Sequence, residues 1–551
     1  MSLLCGAVFI GSANAEVREL EATSAQDGRL IQEDEQLLAE GARIGVVEVQ
    51  VDDVFDPTNP KESGWFYRTA NRIHIESKET TIRSQLLFKS GDRFNPNILQ
   101  ETARNLRARN YLADATVSVT RYDPETKTVD VLVRVRDHWT LNPGVSFSHT
   151  GGYSRSGFQV DESNLLGSGK AISVAYDQNV DRNSLSLSYV DPNLYSSRWE
   201  LRAGYQQASD GGLHRISLTR PFYSLDTRWS ASFEIADQQK TDYKFSQGVV
   251  VDQYQTKANT WTAQGGWSTG LYANRGGSTQ WVQRWSLGVT QNQKHFAPDA
   301  VLGTKELPAD QNSRYPWLGL NWFEDRYVQL RHRDQIDRAE DVYMGRALLM
   351  QAGYAAKSLG ADYNALVLQL KLQATYQPLE QHIVYWDVGL DGRQQSDRWQ
   401  GIVWGGNLRY DWQQNRERIL VIKLAYAGLV HPDDSQQLYL GSDEGLRGYP
   451  LRYRSGQQRA TLVMEQRAYT DWQVLRLLSV GAAAFADVGY INGDVAESTT
   501  QKIYSDVGLG LRLGNIRSSG GEVFHLDLAY PINAPSVNRK WQFSISTKRS
   551  F

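Results

Sequence analysis

From about Gly144 to Phe551 apolar and polar residues alternate one by one, with no helical pattern between them. Trp199, Leu201, Ala203 and Tyr205 alternate with Glu200, Arg202 and Gly204. Leu366, Leu368, Leu370, Leu372, Ala374 and Tyr376 alternate with Val367, Gln369, Lys371, Gln373 and Thr375. Successive side chains of a strand point to opposite faces, so each segment reads as a strand with one apolar and one polar face. About 400 residues of consecutive hairpins would leave a sandwich with two long open edges, and closure into a barrel removes them. Composition then chooses the solvent. Aromatics make up 11%, with 16 Trp and 28 Tyr, and Gly numbers 46. Mean hydropathy is only −0.50, and no run approaches the ~18 apolar residues of a spanning helix. That balance suits an outer-membrane barrel, which shows lipid only every second residue.

The rest of the chain divides around this block. Leu3 to Ile10 is apolar, and Ala13-Asn14-Ala15 precedes Glu16 as a small-x-small cleavage site, which predicts a signal peptide over residues 1–15. Cys5, the one cysteine, falls inside it, so the mature chain offers no disulfide, thiolate zinc cluster or catalytic cysteine. Residues 16–43 are polar and acidic and read as a linker or helix. Residues 44–140 read as a small α/β unit in the order strand, helix, helix, strand, strand. Its strands are Ile44–Val51, Ala115–Tyr122 and Val129–Val135, its helices Thr80–Phe88 (capped by Thr80-Thr81) and Pro96–Asn110, and Pro124-Glu125-Thr126-Lys127 turns its closing hairpin. A polar insert, Asp56 to Lys61, interrupts the unit. The barrel is expected over 141–551.

Parity bears on the strand count. Fourteen candidate strands lie between Gly144 and Leu429, and five follow Pro450. With the small unit in the periplasm, odd-numbered strands end outside. The long polar segment holding Leu446-Arg447-Gly448-Tyr449 reads as an external loop, so an odd number of strands must precede it. Fourteen fails that test; eleven before and five after predict a 16-stranded barrel. The segments between residues 291 and 346 carry the weakest pattern. The first strand, Gly144 to His149, is short and Gly-flanked, and the last is Ser-rich; both are poor at closing a ladder.

Several enzymatic or binding readings fail on the residues. Gly167-Ser168-Gly169-Lys170 lacks the first glycine and the Ser/Thr of a phosphate loop, there is no Gly-x-Ser-x-Gly elbow and no His-Glu-x-x-His. His382 and His525 read as lumen or interface residues, and Asp433-Asp434 as a solvated loop rather than a calcium site. The expectation is a non-enzyme without cofactor or metal. A formal net charge of −3 over 551 residues gives no basis for nucleic-acid binding.

The order of short motifs resembles the BamA/TamA superfamily of outer-membrane insertases and transporters. The 44–140 unit is similar to one POTRA domain. Asp161-Glu162-Ser163-Asn164-Leu165-Leu166-Gly167-Ser168-Gly169 and Tyr189-Val190-Asp191-Pro192-Asn193-Leu194 resemble the family's early turns. Leu446-Arg447-Gly448-Tyr449 resembles the tip of its sixth external loop, followed by Glu465, Phe485-Ala486-Asp487-Val488-Gly489, Gly508 to Arg512, and Asp527 to Pro531. The resemblance implies that the loop folds into the lumen and that Arg447 pairs with Glu465 and Asp487 on the twelfth and thirteenth strands. It implies an openable seam between the first strand (Val145, Phe147) and the last (Trp541, Phe543, Ile545), and a terminal aromatic, Phe551, as the signal for barrel insertion. It further implies an outer-membrane location in a Gram-negative bacterium and partners comprising outer-membrane lipid, a periplasmic client polypeptide or lipid, and accessory envelope proteins. The function expected is client insertion or translocation through the POTRA domain and barrel. A passive or structural pore and a dedicated lipid or glycolipid exporter are the alternatives.

Overall fold

In the computed structural model the described residues are 34, 36–55, 64–273, 280–299, 307–331, 339–396, 398–433, 436–474, 478–493, 502–515, 523–535 and 540–548. The signal peptide with Cys5, most of the 16–43 linker, the 56–63 insert, Asp434 and Phe551 lie outside them. The chain divides into two compact units, 1–138 and 139–551.

The N-terminal unit contains strand β1 (Arg43–Asp52), helices α1 (Trp65–Ile73), α2 (Glu79–Gln85) and α3 (Pro96–Arg107), and strands β2 (Leu112–Asp123) and β3 (Thr128–Asp137). Its core is built on β3, where Val129, Val131, Val133 and Val135 are at most 1% exposed. Burying each such side chain contributes about 1.5–3 kcal/mol. β3 is therefore central, parallel to β1 and antiparallel to β2. Ile82, Leu86, Phe88, Leu99 and Leu106 from the helical side complete the core. The order departs from expectation by one helix, α1. Its Trp65-Phe66-Tyr67 start favours strand by propensity and hides the helical period. The expected Thr80-Thr81 cap is also absent: α2 starts one residue earlier, after Lys78, which makes no side-chain cap bond. α3 has the stronger start, with Asn95 Oδ1 accepting from Asn97 N and Pro96 in the first turn.

The second unit is a closed antiparallel barrel of 20 strands, not 16. Fifteen precede the Arg447 loop and five follow it. The parity requirement is met, but fourteen was one strand short rather than three too many. Period-2 alternation identifies a strand without saying which sheet it joins. Between the tenth barrel strand (Gln311–Glu324) and the eleventh (Arg346–Ala355), Tyr327–Arg331 and Ala339–Tyr343 pair, among the described residues, only with each other, as a ribbon apart from the wall. The first strand is Leu141–Thr150, longer than expected.

Strand lengths are uneven. The first six strands have 8 to 10 residues, close to the ~9–11 a tilted strand needs to cross a bilayer. The seventh to ninth, Trp229–Ser246, Val249–Ala273 and Gln280–Pro298, have 18, 25 and 19, so they run well past that thickness. The exterior is apolar: Val145, Trp541, Phe543 and Leu509 are all at least half exposed. Together with the closed ladder, this is the surface of an outer-membrane barrel. The two early turns share one geometry, each a short 3-10 turn with a left-handed residue, Leu166 (φ 53°) and Tyr195 (φ 52°). Lys170, from the rejected phosphate-loop match, pairs with Asp191 at 3.1 Å.

Candidate functional site

The site lies where the loop between the fifteenth strand (Arg418–Val430) and the sixteenth (Gln458–Val474) folds back on the wall. Counted in this barrel it is the eighth external loop, and the facing strands are the sixteenth, the seventeenth (Leu478–Asn492), the eighteenth (Ile503–Asn515) and the nineteenth (Val523–Pro531). The numbering expected for loop and partners shifts by the four additional strands upstream; the count of five strands behind the loop does not change.

The loop tip is anchored by apolar and aromatic packing. Leu446 and Tyr449 are fully buried, in a cluster with Leu440, Tyr453, Ile491, Tyr504 and Ala534. Tyr449 lies 5.1 Å from the Tyr453 ring and edge-on to Tyr504 at 5.6 Å. Its hydroxyl donates to Asn533 Oδ1 at 2.8 Å. Gly448 is required by close approach: a Cβ there would stand 2.6 Å from the Asp506 Cβ and 3.1 Å from the Pro531 nitrogen.

Arg447 is thereby pointed at carboxylates on two strands. Its Nε and Nη2 donate to Asp487 Oδ2 and Oδ1 at 2.8 and 2.9 Å, a two-toothed fork, and Nη1 donates to Glu465 Oε2 at 2.7 Å. The guanidinium also lies 3.4 Å from the centroid of the Phe485 ring, a cation–π contact. Burial alone would lower the Arg447 pKa, but Asp487, Glu465 and Asp527 more than reverse this and raise it, so the group stays charged. Lower in the loop, burial pushes the Asp443 and Glu444 carboxyls above their ordinary range.

The network extends further than the two expected partners. Arg467 Nε donates to Glu465 Oε1 at 2.8 Å, Arg512 Nη2 lies 3.1 Å from Glu465 Oε2, and Arg512 Nη1 donates to Asp527 Oδ1 at 2.5 Å. Asp527 Oδ2 is also 3.5 Å from Arg447 Nη1. Asp506 stands opposite Asp487 in register. Three arginines thus share a lining with four acids. Arg467, Arg512 and Asp527 were not expected as partners, yet the signal was there: Glu465 and Arg467 are two apart on one strand and so share a face.

The other site residues lie elsewhere. Val145, Phe147, Trp541 and Phe543 face outward, and Ile545 is opposite His149 across the seam. His525 is buried, opposite Arg512. His382 accepts from or donates to the Tyr410 hydroxyl at 2.7 Å. Asp433 departs from expectation. It is not a solvated loop residue but is gripped by Arg393 at 2.7 and 2.9 Å, which holds its carboxyl below the usual range against the raising effect of burial.

Residues 71–137 match the family model of the POTRA domain, "Surface antigen variable number repeat". A curated protein of Treponema pallidum (strain Nichols), "Putative outer membrane protein assembly factor", is 28% identical over 200 residues, covering 32% of this chain and 24% of its own length. The match therefore spans about a quarter of that relative. Among solved structures, "CdiB from Acinetobacter baumannii" aligns over 93% of this chain and 74% of its own, with TM-score 0.48 and 13% identity. BamA from Haemophilus ducreyi lacking POTRA domains 1–3 aligns over 92% and 85%, with TM-score 0.40 and 11% identity. The family match and the curated relative support the resemblance to the BamA/TamA superfamily. The protein is an outer-membrane barrel that carries a POTRA domain.

Proposed function

We propose that this barrel receives a client polypeptide through its POTRA domain and inserts or moves it at the outer membrane through the seam between its first and last strands. The observation that carries this reading is the ladder at that seam. The twentieth strand (Gln542–Lys548) and the first (Leu141–Thr150) are joined by one register pair among the described residues, Ile545 with His149. The neighbouring ladders are far longer: the first and second strands share ten pairs, the nineteenth and twentieth seven. A wall opens first where fewest backbone hydrogen bonds must break.

The POTRA unit supplies a receiving edge. Among the described residues β2 pairs with β3 alone, and β1 pairs with β3 and, at its start, with residues 91–94, so the edge of β2 and the later part of β1 are able to add a strand of client backbone.

The test uses the one register pair. His149→Cys and Ile545→Cys stand directly opposite, at a Cβ separation of about 4.5–5.5 Å that lies near disulfide geometry. The oxidised barrel should lose client insertion in reconstituted membranes and regain it on reduction. Full insertion by the locked form would sink the reading. Outer-membrane proteomics with lipid analysis of a deletion strain separates a polypeptide client from a lipid one.

A further inference from the structure

The loop that carries Arg447 grips the barrel at a second place. The Gln437 side-chain amide makes both bonds that a neighbouring strand would make to Phe245: Phe245 N donates to its Oε1 at 3.1 Å, and its Nε2 donates to Phe245 O at 2.7 Å. Arg452 donates twice to Asp181, at 2.8 and 2.5 Å, and lays its guanidinium 4.0 Å from the Phe245 ring centroid. Leu451 N donates to Gly151 O at 3.3 Å. A Cβ at Gly151 would overlap the Leu451 amide nitrogen, so the two backbones meet only because that position has none. Arg452 itself is held at φ 49°, a left-handed conformation costing roughly 1–2 kcal/mol for an ordinary residue. Other contacts of the loop must hold it there.

These partners share one side of the barrel. Gly151 is in the hairpin after the first strand, Asp181 in the external loop after the third (Ala171–Gln178), and Phe245 near the outer end of the seventh. The Arg447 clasp grips the sixteenth and seventeenth strands, on the other side of the seam. Residues 437–452 therefore form a strap from one flank of the seam to the other, above a ladder with one register pair among the described residues.

We propose that this strap, rather than the ladder between strands 1 and 20, holds the seam closed on its outer side, and that the Arg452–Asp181 pair is its release point. The proposal deepens the reading of the seam as the client's path and rests on it. Releasing Arg452 frees the first hairpin while the Arg447 clasp keeps the loop on the opposite wall, so the seam opens without expelling the loop.

The test is hydrogen–deuterium exchange of residues 141–150 in the intact barrel in nanodiscs. Arg452→Gln should speed it roughly three- to ten-fold, as expected for loss of a partly buried two-toothed pair. Gly151→Ala should do the same without changing any charge. The swap Asp181→Arg with Arg452→Asp should bring exchange back towards the parent rate. Arg452→Lys, which keeps the charge and loses the fork, should fall between, and it replaces Arg452→Gln if that variant fails to show heat-modifiable migration. Unchanged exchange in both Arg452→Gln (or Arg452→Lys) and Gly151→Ala overturns the strap, even if the His149–Ile545 disulfide still blocks insertion. Faster exchange in a barrel whose disulfide-locked form inserts client normally keeps the strap and removes the seam as the path.

Discussion

Replacing Arg447 by alanine removes a cation from a site whose acids are already out of water. Asp487 is 0% and Glu465 5% exposed at the side chain. The two are not left equally bare. Glu465 keeps Arg467 and Arg512, whereas Asp487 loses both teeth of its fork while facing Asp506 in register. Stripping one partner from a buried pair costs about 3–5 kcal/mol, and the lost contact with Phe485 adds about 1 kcal/mol or more. The wall strands keep their ladders, so the cost falls on the docked state of the loop. A shift of about 4 kcal/mol changes the docked-to-free ratio by roughly a thousand-fold. Limited proteolysis of residues 436–457 in refolded barrels reads this directly, with heat-modifiable migration as the control. Arg447→Ala should keep the folded band and expose the loop. Glu465→Gln should instead weaken the wall, because three guanidiniums then share too few carboxylates. The double variant Arg447→Ala/Asp487→Ala should cost less than the sum of its singles. Protection of the loop in Arg447→Ala equal to that of the parent would falsify the clasp.

Gly448→Ala should release the same loop by about 1–3 kcal/mol through steric conflict with Asp506 and the Pro531 backbone, read by the same proteolysis. Tyr449→Phe keeps the ring stack and loses the bonds to Asn533 and Ser505, so docking should weaken by about 1–2 kcal/mol, measured as a lower urea midpoint for loop protection. The depressed Asp433 pKa means the Arg393–Asp433 tie contributes fully above the unfolded carboxylate value and is lost only as pH falls through the lower folded value. Protection of the 431–433 segment should therefore be flat between about pH 5 and 8 and fall only in strong acid; a step near pH 6 would contradict this. Amide exchange should be faster over 141–178 than over 458–531, measured in one experiment on the intact barrel.

The sequence carried the type of most elements and the identity of the clasp. Alternation in Leu366 to Tyr376 or Trp199 to Tyr205 follows from one face meeting lipid, and that physics is local. It does not say which sheet a strand joins or where the sheet closes, and so eleven strands ahead of the loop fell four short of the fifteen in the wall, while Tyr327–Arg331 and Ala339–Tyr343 stand outside it. Arg447, Glu465 and Asp487 were legible because they lie in a recognisable order, but Arg512 and Asp527 enter the network through a register that only the closed ladder fixes. Asp433 was misread for the same reason: Arg393, its partner, is 40 residues away in sequence.

The two flanks of the seam differ in what holds them. In the seventeenth strand Phe485, Asp487 and Ile491 are buried, against the loop cluster and the ion network. In the first three strands no residue is buried; all are exposed or half-buried. Ladder length does not separate the flanks at the seam itself: the first ladders hold seven to ten pairs, and the last two hold nine and seven, after thirteen between the seventeenth and eighteenth strands. Backbone pairing and the loop's contacts with Gly151 and Asp181 resist motion on the first flank; pairing, packing and a charge network resist it on the second. Once the strap is released, an opening seam should then move the first hairpin rather than the clasped sixteenth and seventeenth strands. The clasp is best understood as what makes the second flank immobile, so that whatever passes the seam does so by displacing strands 1 and 2.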